Sequence, residues 1–112
     1  MTDRKNLIDV ALGKISPDLI IKGGNLVNVN TREIYKTDVA LKGNRIAYIG
    51  DAKKLNTNYS KIINVSGKFL VPGLMDAHFH TESSMLTLAE LTRALVPRGV
   101  IGLMADPHEI AN

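Results

Sequence analysis

The stretch GLMDAHFHTESSM, residues 73–85, decides the fold of this chain. It is apolar at first, then carries Asp76, His78 and His80, and an acidic, serine-rich loop follows. Alternate side chains of an extended strand share a face, so these three side chains are predicted to line one side of a strand. Two imidazoles at positions i and i+2 can hold one divalent ion, and a carboxylate two residues earlier can orient a ligand.

The sequence after this stretch predicts a helix and a second strand. Residues 87–96, TLAELTRALV, begin with Thr87 and have Glu90 three residues later, which is a capping-box pattern. The run RGVIGLMAD, residues 98–106, then predicts a strand. Strand, helix and strand in this order indicate a βαβ unit with parallel strands. Ligand sites in such folds lie at the carboxyl ends of the strands, where the two histidines fall.

The sequence before this stretch has a different residue pattern. Residues 2–14 predict a short helix capped by Thr2, with Leu7, Ile8 and Leu12 on one side and Gly13 as its stop. Short runs rich in Val, Ile, Leu and Tyr follow, separated or closed by Gly-Gly, Gly-Asn, Gly-Asp and Ser-Gly. They predict antiparallel hairpins, most clearly around Gly43-Asn44. We therefore predict an α/β chain with a β-rich segment at residues 1–71 and the start of a parallel α/β domain at residues 72–112.

Composition excludes several classes of function. The chain has 112 residues and no cysteine, so a metal here must use histidine and carboxylate ligands. Its net charge of +3 is spread among acids and only 4% of residues are aromatic, which argues against a nucleic-acid surface. No apolar run is long enough for a membrane span, and the N-terminus lacks the apolar core of a secretory signal. These features predict a cytoplasmic protein.

Two further polar clusters are candidates for the site. Glu82, Ser83 and Ser84 could bond a substrate or a metal-bound water, or could simply form a solvated turn before the helix. A second set offers further ligands at the same end of the fold, or else opens a turn or helix at Asp-Pro. Its members are Asp106, His108 and Glu109.

The quoted motifs resemble those of adenine deaminases in the amidohydrolase superfamily. The pattern Pro-Gly-x-x-Asp-x-His-x-His is typical of the superfamily, and HTESS and DPHEIAN are similar to adenine deaminases in particular. Residues 18–50 also resemble the N-terminal β segment of that family. Thr81 departs from the usual aliphatic residue, and GVIGLMAD replaces a threonine-rich run.

The resemblance implies a fold and an activity. The family fold is a metal-dependent (β/α)8 barrel with a small β-sandwich, of which this chain would supply an N-terminal β-sandwich segment and the first strand-helix-strand. The implied reaction is adenine and water to hypoxanthine and ammonia, a step of purine salvage. His78 and His80 would bind a divalent metal (manganese, iron or zinc), with Asp76 behind them. The carboxylate that shuttles protons would lie outside this chain, so the 112 residues alone are expected to be inactive, and the complete enzyme is expected to be a homo-oligomer that binds neither nucleic acid nor membrane.

Three alternatives remain open from the sequence. One is a cyclic-amide hydrolase of the same superfamily, similar to dihydroorotases or hydantoinases. Another is a non-catalytic, truncated remnant, since a half-built barrel exposes apolar edges. The third is a simple metal-binding module.

Overall fold

The computed structural model describes residues 3–106 and divides the chain into two compact units, Met1–Val71 and Pro72–Asn112. Both helices and strands occur, as predicted for an α/β chain. We call the two parts unit 1 and unit 2 and describe each by itself. No helix among residues 3–106 is long and apolar enough to cross a membrane.

Unit 1 begins with helix α1, Arg4–Ala11. The predicted cap at Thr2 is wrong, because the side chain of Asp3 accepts the hydrogen bond from the Lys5 amide and takes the N-cap position. Gly13 follows the helix with a φ of 71°, so its predicted role as the stop is confirmed. The predicted apolar face is wrong, since Val10 is fully buried while Ile8 and Leu12 are exposed.

Unit 1 also contains a five-stranded sheet, whose strands are β1 (Leu19–Asn28), β2 (Glu33–Lys42), β3 (Arg45–Gly50), β4 (Lys61–Asn64) and β5 (Phe69–Leu70). The order is β3-β2-β1-β4, and β5 also pairs with β1. The first three strands are antiparallel, as predicted. The prediction is wrong for β4 and β5, which run parallel to β1. After β3 the chain crosses to the far side of the sheet, and such a crossover delivers a parallel strand.

Glycines shape the sheet at two places. Lys42 pairs with Arg45, so Gly43-Asn44 forms the predicted two-residue hairpin, with Gly43 at a φ of 57°. The pair Gly23-Gly24 does not separate two strands. It lies within β1, where the register shifts between Ile21 and Gly24 and Gly23 takes a φ of 75°, as in a β-bulge.

The core of unit 1 includes a buried cluster that joins β1 and β2 to the segment after β3. Ile20, Ala40, Ala52 and Leu55 form the buried cluster, with Tyr48 packed against it. The carboxylate of Asp38 accepts hydrogen bonds from the amide of Gly23 at 2.8 Å and the amide of Ala52 at 3.0 Å. It therefore ties the bulge to the turn after β3.

Asp18 clamps the β2–β3 hairpin from outside the core. Its two carboxylate oxygens accept from the Gly43 amide at 2.7 Å and from Lys42 Nζ at 2.6 Å. The Gly43 hydrogen bond, followed by the Lys42 interaction, lowers the pKa of Asp18 from its ordinary value. The ionised carboxylate thus stabilises the tight turn.

Unit 2 is a βαβ unit, as predicted from the sequence. Its elements are β6 (Leu74–Phe79), α2 (Leu88–Leu95) and β7 (Val100–Ala105), and the two strands pair in parallel. The hydroxyl of Thr87 accepts from the Glu90 amide at 3.3 Å, which confirms the predicted cap of α2. Leu91 is buried, but Leu88, Met75 and Ile101 are each more than half exposed. Local hydrogen bonds therefore define this unit more than a core does.

Candidate metal centre

The two histidines of the quoted stretch converge at the carboxyl end of β6. His78 Nε2 and His80 Nε2 lie 2.9 Å apart, and the rings meet edge to face with centroids 4.7 Å apart. A cation at the usual metal–nitrogen distance of about 2.0–2.1 Å can reach both atoms. The strand alternation that placed both side chains on one face thus brings their distal nitrogens to a common point.

The other ring nitrogen of His80 is anchored by the end of β7. His80 Nδ1 lies 2.9 Å from the backbone carbonyl oxygen of Asp106. The Asp106 amide in turn donates to the Phe79 carbonyl at 3.1 Å, which fixes this segment against β6. A carbonyl can only accept, so Nδ1 carries a proton, and in the tautomer with that single proton Nε2 presents a lone pair. Metal-binding histidines commonly have this arrangement.

Asp76 acts on the backbone in this structure. Its Oδ1 accepts a hydrogen bond from the His78 amide at 3.1 Å. The register of β6 against β7 shifts between Asp76 and Phe79, so the strand is irregular around His78. Asp76 therefore contacts His78 through the backbone amide.

The serine-rich loop forms a tight turn directly after His80. Glu82–Ser84 is a single 3-10 turn, and Met85 closes it with a φ of 53°. The Ser84 hydroxyl donates to the Thr81 carbonyl at 2.6 Å and accepts from the Leu86 amide at 3.3 Å. These contacts favour the turn interpretation for Ser84, while Ser83 is exposed on the same turn.

Glu82 differs from its neighbours because its side chain turns inward. It is only 7% exposed, and its Oε1 lies 3.7 Å from His80 Nδ1. Its other oxygen lies 3.4 Å from the Thr81 hydroxyl. A carboxylate therefore stands beside the proton-bearing nitrogen of His80.

Some predicted site residues are not brought together. Within residues 3–106 no group of three histidine or acidic side chains is close enough to hold a metal ion. His108 and Glu109 lie outside the described residues. Sequence reasoning missed the Asp106 carbonyl, because a backbone acceptor leaves no signal in the residue type. It did single out Glu82, but as a substrate or metal contact.

Known proteins similar to this chain were found by sequence. No protein-family model matches it. An adenine deaminase of Moorella thermoacetica is 46% identical over 108 residues, which are 96% of this chain and 18% of that protein. One from Thermosipho africanus is 50% identical over 106 residues, again covering 18% of its length. The chain therefore spans less than a fifth of these relatives.

Solved structures give the same picture of the fold. A D-aminoacylase described as defining a subset of amidohydrolases matches with a TM-score of 0.62 and 29% identity, over 77% of this chain and 18% of that one. N-acyl-D-glutamate deacylase from Bordetella bronchiseptica, complexed with zinc and a phosphonate inhibitor, matches at 0.63 with 22% identity, over 80% of this chain and 18% of that one. The resemblance predicted from the sequence is confirmed: the chain is similar, over almost its whole length, to 18% of the length of these adenine deaminases.

Proposed function

We propose that this chain forms the N-terminal part of a metal-dependent adenine deaminase. The observation that carries the proposal is the convergence of His78 Nε2 and His80 Nε2 at 2.9 Å, in a chain 46% identical to a named adenine deaminase. Unit 1 would be part of a β-sandwich, and unit 2 the first strand-helix-strand of a (β/α)8 barrel. The complete enzyme would convert adenine and water to hypoxanthine and ammonia. Residues outside this chain would take part in that reaction.

His78 and His80 would hold a divalent cation through their Nε2 atoms. The donor set fits in part, because His80 Nδ1 is already bonded to the Asp106 carbonyl at 2.9 Å and Nε2 is left as the donor. When bound, such a metal supplies Lewis acidity that lowers the pKa of water toward neutrality. Zinc, iron and manganese all accept imidazole and carboxylate ligands, so the donors do not select one metal.

Other residues of the chain would prepare the site. Asp76 would fix the backbone at His78, and the turn built by Ser84 would turn the chain away from the metal. Asp106 would hold His80 through its carbonyl and so couple the ends of β6 and β7. Further donors and the carboxylate that moves protons would come from other parts of the enzyme, whose assembly as a homo-oligomer remains a prediction.

The test is an assay of the complete product of the gene that encodes this chain. We expect the purified protein to release ammonia from adenine, to lose this activity with a chelator, and to regain it with a divalent metal. His78→Ala or His80→Ala should remove one metal equivalent and nearly all turnover. Tyr59→Ala, which truncates an 89% exposed ring in unit 1, is the control and should change neither.

Two results would contradict the proposal. Full turnover and unchanged metal content in both histidine variants would refute the ligand assignment. A folded, metal-loaded protein that hydrolyses a cyclic amide but leaves adenine untouched would support the alternative amidohydrolase activity.

A further inference from the structure

We propose that Glu82 is a positioning residue that strengthens His80 as a metal ligand. This inference rests on the proposed role of His80 and deepens it. Glu82 would act through the imidazole ring, from the side opposite the metal, and would not itself contact metal or adenine. The loop after the two histidines would then be part of the metal centre and not only a connection to α2.

The burial of Glu82 is the first argument. Carboxylates are seldom buried, because removing their charge from water costs free energy unless a partner compensates. Glu90, the glutamate on α2, shows the usual arrangement: its side chain is 51% exposed and pairs with Arg93 at the surface. Glu82 is 7% exposed, although its turn lies at the surface with exposed Ser83 beside it. The turn therefore directs this carboxylate toward the ring of His80 and away from solvent.

The construction of the turn supplies the second argument. The Met85 amide donates to the Glu82 carbonyl at 3.1 Å, and the Ser84 hydroxyl donates to the Thr81 carbonyl at 2.6 Å. Met85 takes a positive φ of 53°, which a residue other than glycine adopts only at some cost. These contacts fold the chain back so that Glu82 Oε1 lies 3.7 Å from the ring two residues earlier.

The chemistry at His80 gives the carboxylate its role. A separation of 3.7 Å is too long for a hydrogen bond, and Nδ1 already bonds the Asp106 carbonyl at 2.9 Å. The carboxylate therefore acts through its charge. A negative charge 3.7 Å from Nδ1 would stabilise the positive charge that the ring takes on when Nε2 binds a cation. A carboxylate that is hydrogen-bonded to a metal-binding histidine strengthens that ligand, and a carboxylate at 3.7 Å would act in the same sense through its charge alone.

The experiment compares metal affinities in the complete gene product, with zinc as the probe in competition with a chelator. Glu82→Gln keeps the shape of the side chain and removes its charge, so we expect zinc affinity to fall by about 10-fold or more. Glu82→Asp keeps the charge and should recover part of the loss. Glu90→Gln removes an exposed charge from the same unit and should bind zinc as the wild type does.

A spectroscopic readout separates this role from a structural one. Cobalt bound in place of zinc should show a shifted visible absorption band in Glu82→Gln and the wild-type band in Glu90→Gln. Should Glu82→Gln fail to fold, Glu82→Asp carries the test, with a zinc affinity between those of the wild type and of His80→Ala.

The outcomes distinguish this proposal from the proposed function. Wild-type zinc affinity and an unshifted cobalt band in Glu82→Gln, together with loss of the metal in His80→Ala, would overturn the role of Glu82 and leave the metal site standing. Retention of the metal in His80→Ala would overturn both. A shifted band with weakened affinity in Glu82→Gln alone would support the proposal.

Discussion

Unit 1 and unit 2 differ in the contacts that hold each of them together. Unit 1 has a buried cluster around Ile20 and Ala40, and the carboxylates of Asp38 and Asp18 join segments far apart in sequence. Unit 2 holds the two converging histidines, yet among residues 72–106 Leu91 is the one hydrophobic side chain that is buried. Its order comes from a capped helix, a tight turn and one pair of strands. The candidate site is thus carried by the part of the chain with the least core of its own.

This contrast has a physical meaning for function. Large apolar side chains of β6, α2 and β7 remain exposed, including Leu74, Leu88 and Ile101. Burying a side chain of this size contributes about 1.5–3 kcal/mol, so unit 2 lacks most of the free energy that would make its strand ends rigid. A metal site needs rigid strand ends, and the proposed barrel would supply the missing neighbours.

The largest expected effect is on the core of unit 1. Ile20→Ala should lower the free energy of unfolding of unit 1 by about 2–5 kcal/mol, because it removes a side chain that is 1% exposed and leaves a cavity. The measurement is chemical denaturation of the 112-residue chain, followed by amide signals of β1 and β2. Ile46→Ala is the matched control. It makes the same truncation in the same sheet at a side chain that is 59% exposed, and should cost much less.

The result for Ile20 also tests the comparison between the units. We expect hydrogen exchange in α2 and β7 to be little changed by Ile20→Ala, since unit 2 has its own local contacts. An equal loss of protection in both units would show that they unfold together and would break the contrast.

A smaller effect is expected at the cap of α2. Thr87→Ala removes the acceptor for the Glu90 amide and should destabilise the helix by about 1 kcal/mol. Hydrogen exchange of the first-turn amides of α2 measures this loss. Thr92→Ala is the control, because the Thr92 hydroxyl donates to the Ala89 carbonyl within the helix and caps nothing. Equal effects of the two substitutions would mean that the cap does not hold unit 2 in order.

Local signals explain what the sequence could predict. The Gly43-Asn44 hairpin, the Thr87 cap and the βαβ order all depend on residues a few positions apart, and all three are found in the structure. The parallel pairing of β4 and β5 with β1 depends on a crossover that no local pattern encodes. Gly23-Gly24 had the composition of a turn, but the amide of Gly23 is bonded by Asp38 from another strand. Tertiary contacts decided both cases.

The candidate site, like the fold, was predicted from the sequence only in part. Period-two alternation was enough to predict that His78 and His80 share a face, and their Nε2 atoms do converge. The anchor at His80 Nδ1 is a backbone carbonyl of Asp106, 26 residues away, which no residue type reveals. Glu82 stood out by its type, but only the fold of the turn brings its carboxylate to the ring.

The smallest expected effect concerns the Asp18 clamp and its dependence on pH. The pKa of Asp18 is lowered in the folded state from its ordinary value of 3.8. The ionised carboxylate therefore stabilises unit 1 above that value, and this contribution is lost as the pH falls through the lower, folded pKa. Asp18→Asn should cost less than about 1 kcal/mol near neutral pH, because the carboxylate is largely exposed and solvent screens its charge.

The difference between wild type and Asp18→Asn should then shrink as the pH is lowered from about 5 to about 2, because the wild-type carboxylate becomes protonated and loses its advantage. Thermal unfolding of both proteins across this range measures the difference. Asp9→Asn is the control for the loss of one charge from the same unit, where the contact with Lys14 is a looser 3.7 Å. The difference in stability between wild type and Asp18→Asn could instead stay constant down to about pH 2. The protonated Asp18 side chain would then hold the hairpin as well as the ionised one does. The clamp would then stabilise unit 1 by the shape of the side chain alone.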